Sequence, residues 1–215
     1  MSAKRILCFG DSLTWGWNPE TRDRFSKEER WTGILANLLG ETYEIIEEGL
    51  NGRTTGFDDP IEGDKNGRRH LPMLLETHQP LDLIIIMLGT NDLKRRFNLH
   101  PAEIAQSAAE LVKIARQSRA GKDGSAPSVL LVAPPPIGPL PPEMKIFEGG
   151  EEKSKELGHQ YSLWAKILGC HFFDAQKVVT TSPFDGIHWD VQGNRAFAQA
   201  LAQIVPAILE EGPNE

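Results

Sequence analysis

Short apolar runs alternate along the chain with longer stretches in which apolar residues recur every three or four positions. The runs, at residues 5–9, 43–47, 83–88, 129–133 and 171–173, have the length and composition of strands. The stretches between them, 31–39, 71–78, 101–118, 151–168 and 191–210, have helical period. In 101–118 the stripe is Ile104, Ala108, Leu111, Val112 and Ala115. The run "LIIIML" lacks the in–out alternation of a half-solvated sheet, so helices are expected over both of its faces. The pattern predicts an α/β fold: a three-layer α/β/α sandwich around a parallel five-stranded sheet, flavodoxin-like in outline, with residues 1–215 as a single domain. Right-handed crossovers then bring the loops after the strands to one edge, where ligands of such sheets bind. Those loops contain Gly10-Asp11-Ser12, residues 49–53 and residues 89–92.

Two stretches break the pattern. Residues 58–69, rich in charge and glycine, read as a mobile surface excursion. "APPPIGPLPP", at 133–142, reads as a stiff extended connection on the ligand-binding edge, because proline fixes the backbone and the segment stays apolar.

Composition narrows the partners. With 23 Lys and Arg against 30 Asp and Glu, the net charge of −7 repels phosphate backbones and anionic bilayers, so neither nucleic acid nor a membrane is an expected partner. No apolar run reaches spanning length, and the one near the N-terminus is too short for a signal peptide. Cys8 and Cys170 read as small buried hydrophobes, and a reducing cytoplasm is the expected compartment. Six histidines are scattered without metal-binding spacing, and neither a phosphate-binding loop nor a dinucleotide fingerprint occurs. No metal or cofactor is expected, which weighs against a metal hydrolase, and Asp11 weighs against an anion-binding module.

The candidate chemistry begins at "LCFGDSLTWGW", where Ser12 stands at the mouth of the first strand. A serine there is a helix cap or, given a base to take its proton, a nucleophile. "SPFDGIHWD" supplies Asp185 and His188 three positions apart before the last helix, in the order Ser12…Asp185…His188. There is no G-x-S-x-G elbow, so the site must be built otherwise. The Ser12 and Gly52 backbone amides and the Asn91 side-chain amide are candidate oxyanion donors.

Together, "FGDSLTWG", "GLNGRTT", "GTNDL" and "DGIHWD" resemble the four blocks of the GDSL-type SGNH hydrolase family. "RWTGILA", "LDLIIIMLGTND", "IFEGG" and "FFDA" bring the likeness closer to its arylesterase and acyltransferase (perhydrolase-like) subgroup. The resemblance implies Ser12 as nucleophile, His188 as base, Asp185 as its orienting acid, and Ser12, Gly52 and Asn91 around the oxyanion. Gly52 departs mildly, since close relatives can carry a slightly larger residue there. It also implies a serine esterase acting on short-chain acetyl and aryl esters, with acyltransferase or perhydrolase side activity. Acetylated carbohydrates are the alternative substrate. A homo-oligomer, up to an octamer, is implied as well. Asp11 is expected to brace the loop and, with Trp15, Trp17, Ile146 and Phe147, is a candidate for substrate binding. Ile137, Leu140 and Met144 are expected to narrow the pocket or meet another subunit.

Overall fold

A computed structural model describes residues 3–211. Its five strands, β1 Lys4–Gly10, β2 Tyr43–Gly49, β3 Leu83–Met87, β4 Ser128–Ala133 and β5 His171–Asp174, form one parallel sheet in the order β2-β1-β3-β4-β5. The helices are α1 Ser12–Trp15, α2 Trp31–Leu39, α3 Gly67–His78, α4 Pro101–Gln117, α5 Gly150–Leu168 and α6 Val191–Glu211. The expected three layers are present, and the alternation of side chains along each strand shows why the runs are unbroken. Leu7, Phe9, Ile84, Ile86 and Leu131 pack with α3, α4 and α5, while their neighbours Ile6, Cys8, Ile85, Met87, Leu130 and Val132 pack with α2 and α6.

Every strand and longer helix read from the periodicity is found, with ends shifted by a few residues. The largest shift is at α3, which starts at Gly67 because the Asn66 side chain accepts from Arg68 N at 3.0 Å, a cap hidden inside the charged 58–69 stretch. Helix α4 begins where Glu103 accepts from His100 N at 2.7 Å and His100 Nδ1 from Ala102 N at 3.3 Å, with Pro101 in the first turn. All five residues of its predicted stripe are buried.

The 58–69 stretch is pinned rather than a loose excursion. Asn66 donates to Gly56 O and Asp58 Oδ1, Thr54 N donates to Lys65 O, and Asp59 caps the Ile61 and Glu62 amides. The proline-rich segment is extended as expected, and it buttresses the loop before α6. Gly138 N donates to Gly186 O at 2.7 Å, and Gly186, at φ +72°, leaves no space for a side chain, since a Cβ there would come within 2.6 Å of Pro139 O. Ile137 is buried in the core, against which the half-buried Leu140 and Met144 pack, and Met144 also lines a cavity with Trp17, Asp185 and His188. Cys8 and Cys170 are both unpaired. Among the described residues no helix is long and apolar enough to cross a membrane.

Candidate active site

Ser12 sits where β1 leaves the sheet. The strand ends at Gly10, flanked in register by Gly49 and Met87, and a Cβ on Gly10 would lie 2.0 Å from Thr14 Oγ1 and 2.9 Å from the Met87 carbonyl. A larger residue would push the turn away from the sheet. Asp11, not Ser12, caps α1, its Oδ1 accepting from Leu13 N at 3.0 Å. The capping alternative for Ser12 therefore falls, because a neighbour performs that task and Oγ is left for other partners.

Those partners come from the far end of the chain. Ser12 Oγ lies 2.7 Å from His188 Nε2, and His188 Nδ1 lies 2.6 Å from Asp185 Oδ2. Asp185 Oδ1 accepts from the Ile187 and His188 backbone amides, both at 2.9 Å. Burial alone would raise this carboxyl, but the His188 ring and the two amides outweigh it and hold Asp185 below the ordinary carboxylate range. An ionised acid that grips Nδ1–H leaves Nε2 free to accept a proton from the serine.

The expected oxyanion donors gather on the same sheet edge. Among the described hydrogen bonds, no protein acceptor takes the Ser12 or Gly52 backbone N–H. Gly52 adopts φ +81°, which suits glycine. Asn91 Nδ2 makes two long contacts, 3.3 Å to Asp11 Oδ2 and 3.2 Å to Arg53 O. Gly52, Asn91, Ser12 and His188 line one cavity of about 200 Å³, with Trp17, Ile146, Phe147 and Ile187 as its apolar walls.

Two candidate substrate contacts fall outside that lining. Asp11 is buried beneath the turn, as the loop brace it was expected to be, and does not reach the cavity. Trp15 packs against Trp17 at 6.2 Å between ring centroids, and the Arg24 guanidinium stacks on it at 5.1 Å. Only Trp17 of the two indoles reaches the site, 6.0 Å from the His188 ring. A larger cleft of about 550 Å³, between α3 and α4, lies at the opposite edge of the sheet and holds none of these groups.

Several supporting residues escaped the sequence reading. Arg53, buried, donates from Nη1 to the Gly10 and Glu48 carbonyls and stacks over Phe9 at 4.4 Å, joining the ends of β1 and β2. Burial lowers its guanidinium to about 10, against the charges of Glu48 and Asp11. Asp92 accepts from Thr55 N at 3.0 Å and Thr55 Oγ1 at 2.5 Å, tying the loop after β3 to the loop after β2. Tyr161 donates to Leu88 O at 2.7 Å beneath Gly89. "GRTT" and "GTND" contain these residues, but nothing in their spacing reveals that they face one another.

Burial drives two of these carboxyls upward: Asp92 to about 7, opposed by Thr55 and reinforced by Asp11, and Asp11 to about 6, opposed mainly by the Leu13 amide, His188 and Arg53. Both folded values exceed the unfolded value of about 3.9. The native state therefore binds more protons than the unfolded chain between about pH 4 and 7, and the stability these groups supply is complete below that window and lost across it. Thermal melts of the wild type at pH 5 and pH 8 are expected to differ by several degrees, with the higher value at pH 5. Asp92→Asn removes the larger share of that difference; an unchanged difference would contradict the assignment.

Among the described residues no three His, Cys, Asp or Glu side chains converge as a metal-ligating group. Residues 8–196 match the profile of the GDSL-like Lipase/Acylhydrolase family. The chain is 50% identical to the aryl esterase of M. smegmatis, covering 96% of this chain and 100% of that one with a TM-score of 0.92. It is 46% identical to a carbohydrate acetylesterase from Sinorhizobium meliloti, covering 95% and 99% with a TM-score of 0.91. It is also 25% identical over 225 residues to an acetylxylan esterase of Xylanibacter ruminicola, matching 94% of this chain and spanning 43% of that protein's length. With an α/β/α sheet that gathers a serine, a histidine and an aspartate at one edge, and a family match running from β1 into α6, the chain belongs to the GDSL-like lipase/acylhydrolase family.

Proposed function

We propose that this chain, a carboxylic ester hydrolase of the GDSL/SGNH type, cleaves short-chain acyl esters through an acyl-enzyme on Ser12. The observation that carries the reading is the continuous line Ser12 Oγ, His188 Nε2, His188 Nδ1, Asp185 Oδ2, with links of 2.7 and 2.6 Å. In this mechanism Oγ attacks the ester carbonyl carbon while Nε2 takes its proton. The carbonyl oxygen becomes an anion, held by the Ser12 and Gly52 amides and by Asn91 Nδ2, which exchanges one of its long resting contacts for this stronger, charge-assisted bond. Collapse expels the alcohol, which receives the proton from His188. Water then repeats the sequence on the acyl-enzyme, and an alcohol or hydrogen peroxide in its place gives acyl transfer or a peracid.

A cavity of about 200 Å³ lies below the usual range of sites for drug-sized ligands and suits a short acyl group such as acetyl. The apolar walls beside Trp17 suit an aryl leaving group, and the likeness to the M. smegmatis aryl esterase supports that choice. Acetylated carbohydrates are the second reading, supported by the likeness to the carbohydrate acetylesterase and the acetylxylan esterase. Residues 1–215 are proposed to act as one catalytic domain. Self-association is proposed through apolar side chains near the mouth, where Ile146 is 45% exposed and Phe184 55%. The unpaired Cys8 and Cys170 fit a reducing cytoplasm.

Aryl, alkyl and sugar acetates assayed side by side on the wild type and on Ser12→Ala test the reading. Turnover of aryl acetates by the wild type alone supports it; equal release by both proteins refutes it. Asn91→Ala is expected to fold and to lose about 10²–10³ in kcat, the usual effect of removing one oxyanion donor. Near-normal turnover would remove Asn91 from the oxyanion site.

A further inference from the structure

The cavity wall carries a charge cluster that the ester chemistry does not use. Lys94 follows the Asn91 turn and is only 3% exposed. Its Nζ donates to Glu62 Oε1 and lies 3.7 Å from Asp59 Oδ2. Arg96 Nη2 donates to the same Glu62 Oε1 and to Asp59 Oδ2, each at 2.6 Å, and Arg96 Nε adds a contact to Asp59 at 3.2 Å. Two cations and two carboxylates leave the cluster neutral, and each cation touches both anions.

Glu62 spends only one oxygen on this cluster. Its Oε2 takes no hydrogen bond among the described residues and lies over Gly52, so close that a Cβ at position 52 would come within 2.3 Å of it. Any side chain at position 52 would displace the carboxylate. Glu62, Gly52 and Lys94 line the same cavity as Ser12 and His188. A carboxylate oxygen with free lone pairs therefore faces the space beside one of the proposed oxyanion donors.

We propose that Glu62, seated on Lys94 and Arg96 above Gly52, is a specificity determinant that rejects acyl groups carrying a carboxylate and leaves the pocket to neutral ones. The proposal rests on the esterase reading of the site. An anionic acyl group would bring its charge against Oε2 in a confined space, and such like-charge contact is how sites exclude wrong partners. Lys94 and Arg96 are each ion-paired with both Glu62 and Asp59, so their charges are already balanced within the cluster. Removing the Glu62 charge changes the wall from neutral to one positive charge and frees a Lys94 donor. The same position would then attract what it now repels.

The test compares p-nitrophenyl acetate with p-nitrophenyl hemisuccinate on the full chain, wild type and Glu62→Gln. The hemisuccinate-to-acetate ratio of kcat/KM is expected to rise at least tenfold in Glu62→Gln, and the rise is expected to shrink in about 0.5 M salt, where charges are screened over a few ångströms. The double variant Glu62→Gln with Lys94→Met leaves neither the repelling anion nor the attracting cation, so its ratio should fall between the two. It also serves if the single variant does not fold. A ratio within twofold of wild type in every soluble variant, with the wild type active on acetate, overturns this inference and leaves the esterase reading intact. A wild type no faster on acetate than Ser12→Ala overturns both.

Discussion

Ser12→Ala is expected to lower kcat on aryl acetates by about 10⁴- to 10⁶-fold, leaving only what binding and the oxyanion donors supply. Deleting Oγ removes the atom proposed to bond to the acyl carbon, and among the described residues no other hydroxyl lines the cavity. Its structural share is small. The Ser12 side chain makes one hydrogen bond, to His188, while the turn is held by Asp11 and the Gly10 register. The melting temperature should therefore move by only a few degrees. His188→Ala should cost about as much as Ser12→Ala, and the double variant little more, because in the proposed mechanism the two groups share one proton transfer. Additive losses, or a single variant within tenfold of wild type, would mean that the 2.7 Å contact is not the reacting pair.

Asp185→Asn is expected to cost about 10⁴ in kcat with KM little changed, for a reason visible in the loop. One carboxylate oxygen holds the Ile187 and His188 amides, and the other holds His188 Nδ1 at 2.6 Å. An asparagine keeps the first set of bonds through its carbonyl oxygen, so the loop should stay folded. Its NH₂ then faces Nδ1 and can only donate to it, which moves the ring proton to Nε2. The imidazole would point a donor at Ser12 and could no longer accept the hydroxyl proton. A stopped-flow assay should show loss of the burst that marks acylation. A burst of wild-type rate would show that Asp185 neither orients His188 nor supports its charge.

These effects differ in how far they could be foreseen from one strand of text. The "LIIIML" run required two covering layers whatever its partners, because both sets of alternate side chains are apolar. Ser12, Asn91 and His188 were legible because each sits in a short, compositionally distinct loop directly after a strand or before a helix. Arg53 and Asp92 were not, since a charged residue in a loop normally reads as solvated and their burial depends on loops 37 residues apart meeting. Trp15 and Trp17 are indistinguishable in the sequence for a related reason: two indoles two positions apart look equivalent, yet the short α1 turn sends one to the cavity and the other under Arg24. The 58–69 stretch looked like a loose excursion because its anchors, Arg96 and Asn66, act through geometry rather than local propensity.

The sequence by itself determined the layering, the number and direction of the strands, and which strand-end loops carry a hydroxyl, an imidazole and an amide. Periodicity and breakers are local properties, and a right-handed α/β chain has few ways to arrange them. Only the tertiary structure decided that atoms 176 residues apart stand at hydrogen-bonding distance. It alone also set Glu62 over Gly52 beside a buried lysine, because distance and burial arise from the closing of the sheet edge and no single segment contains them.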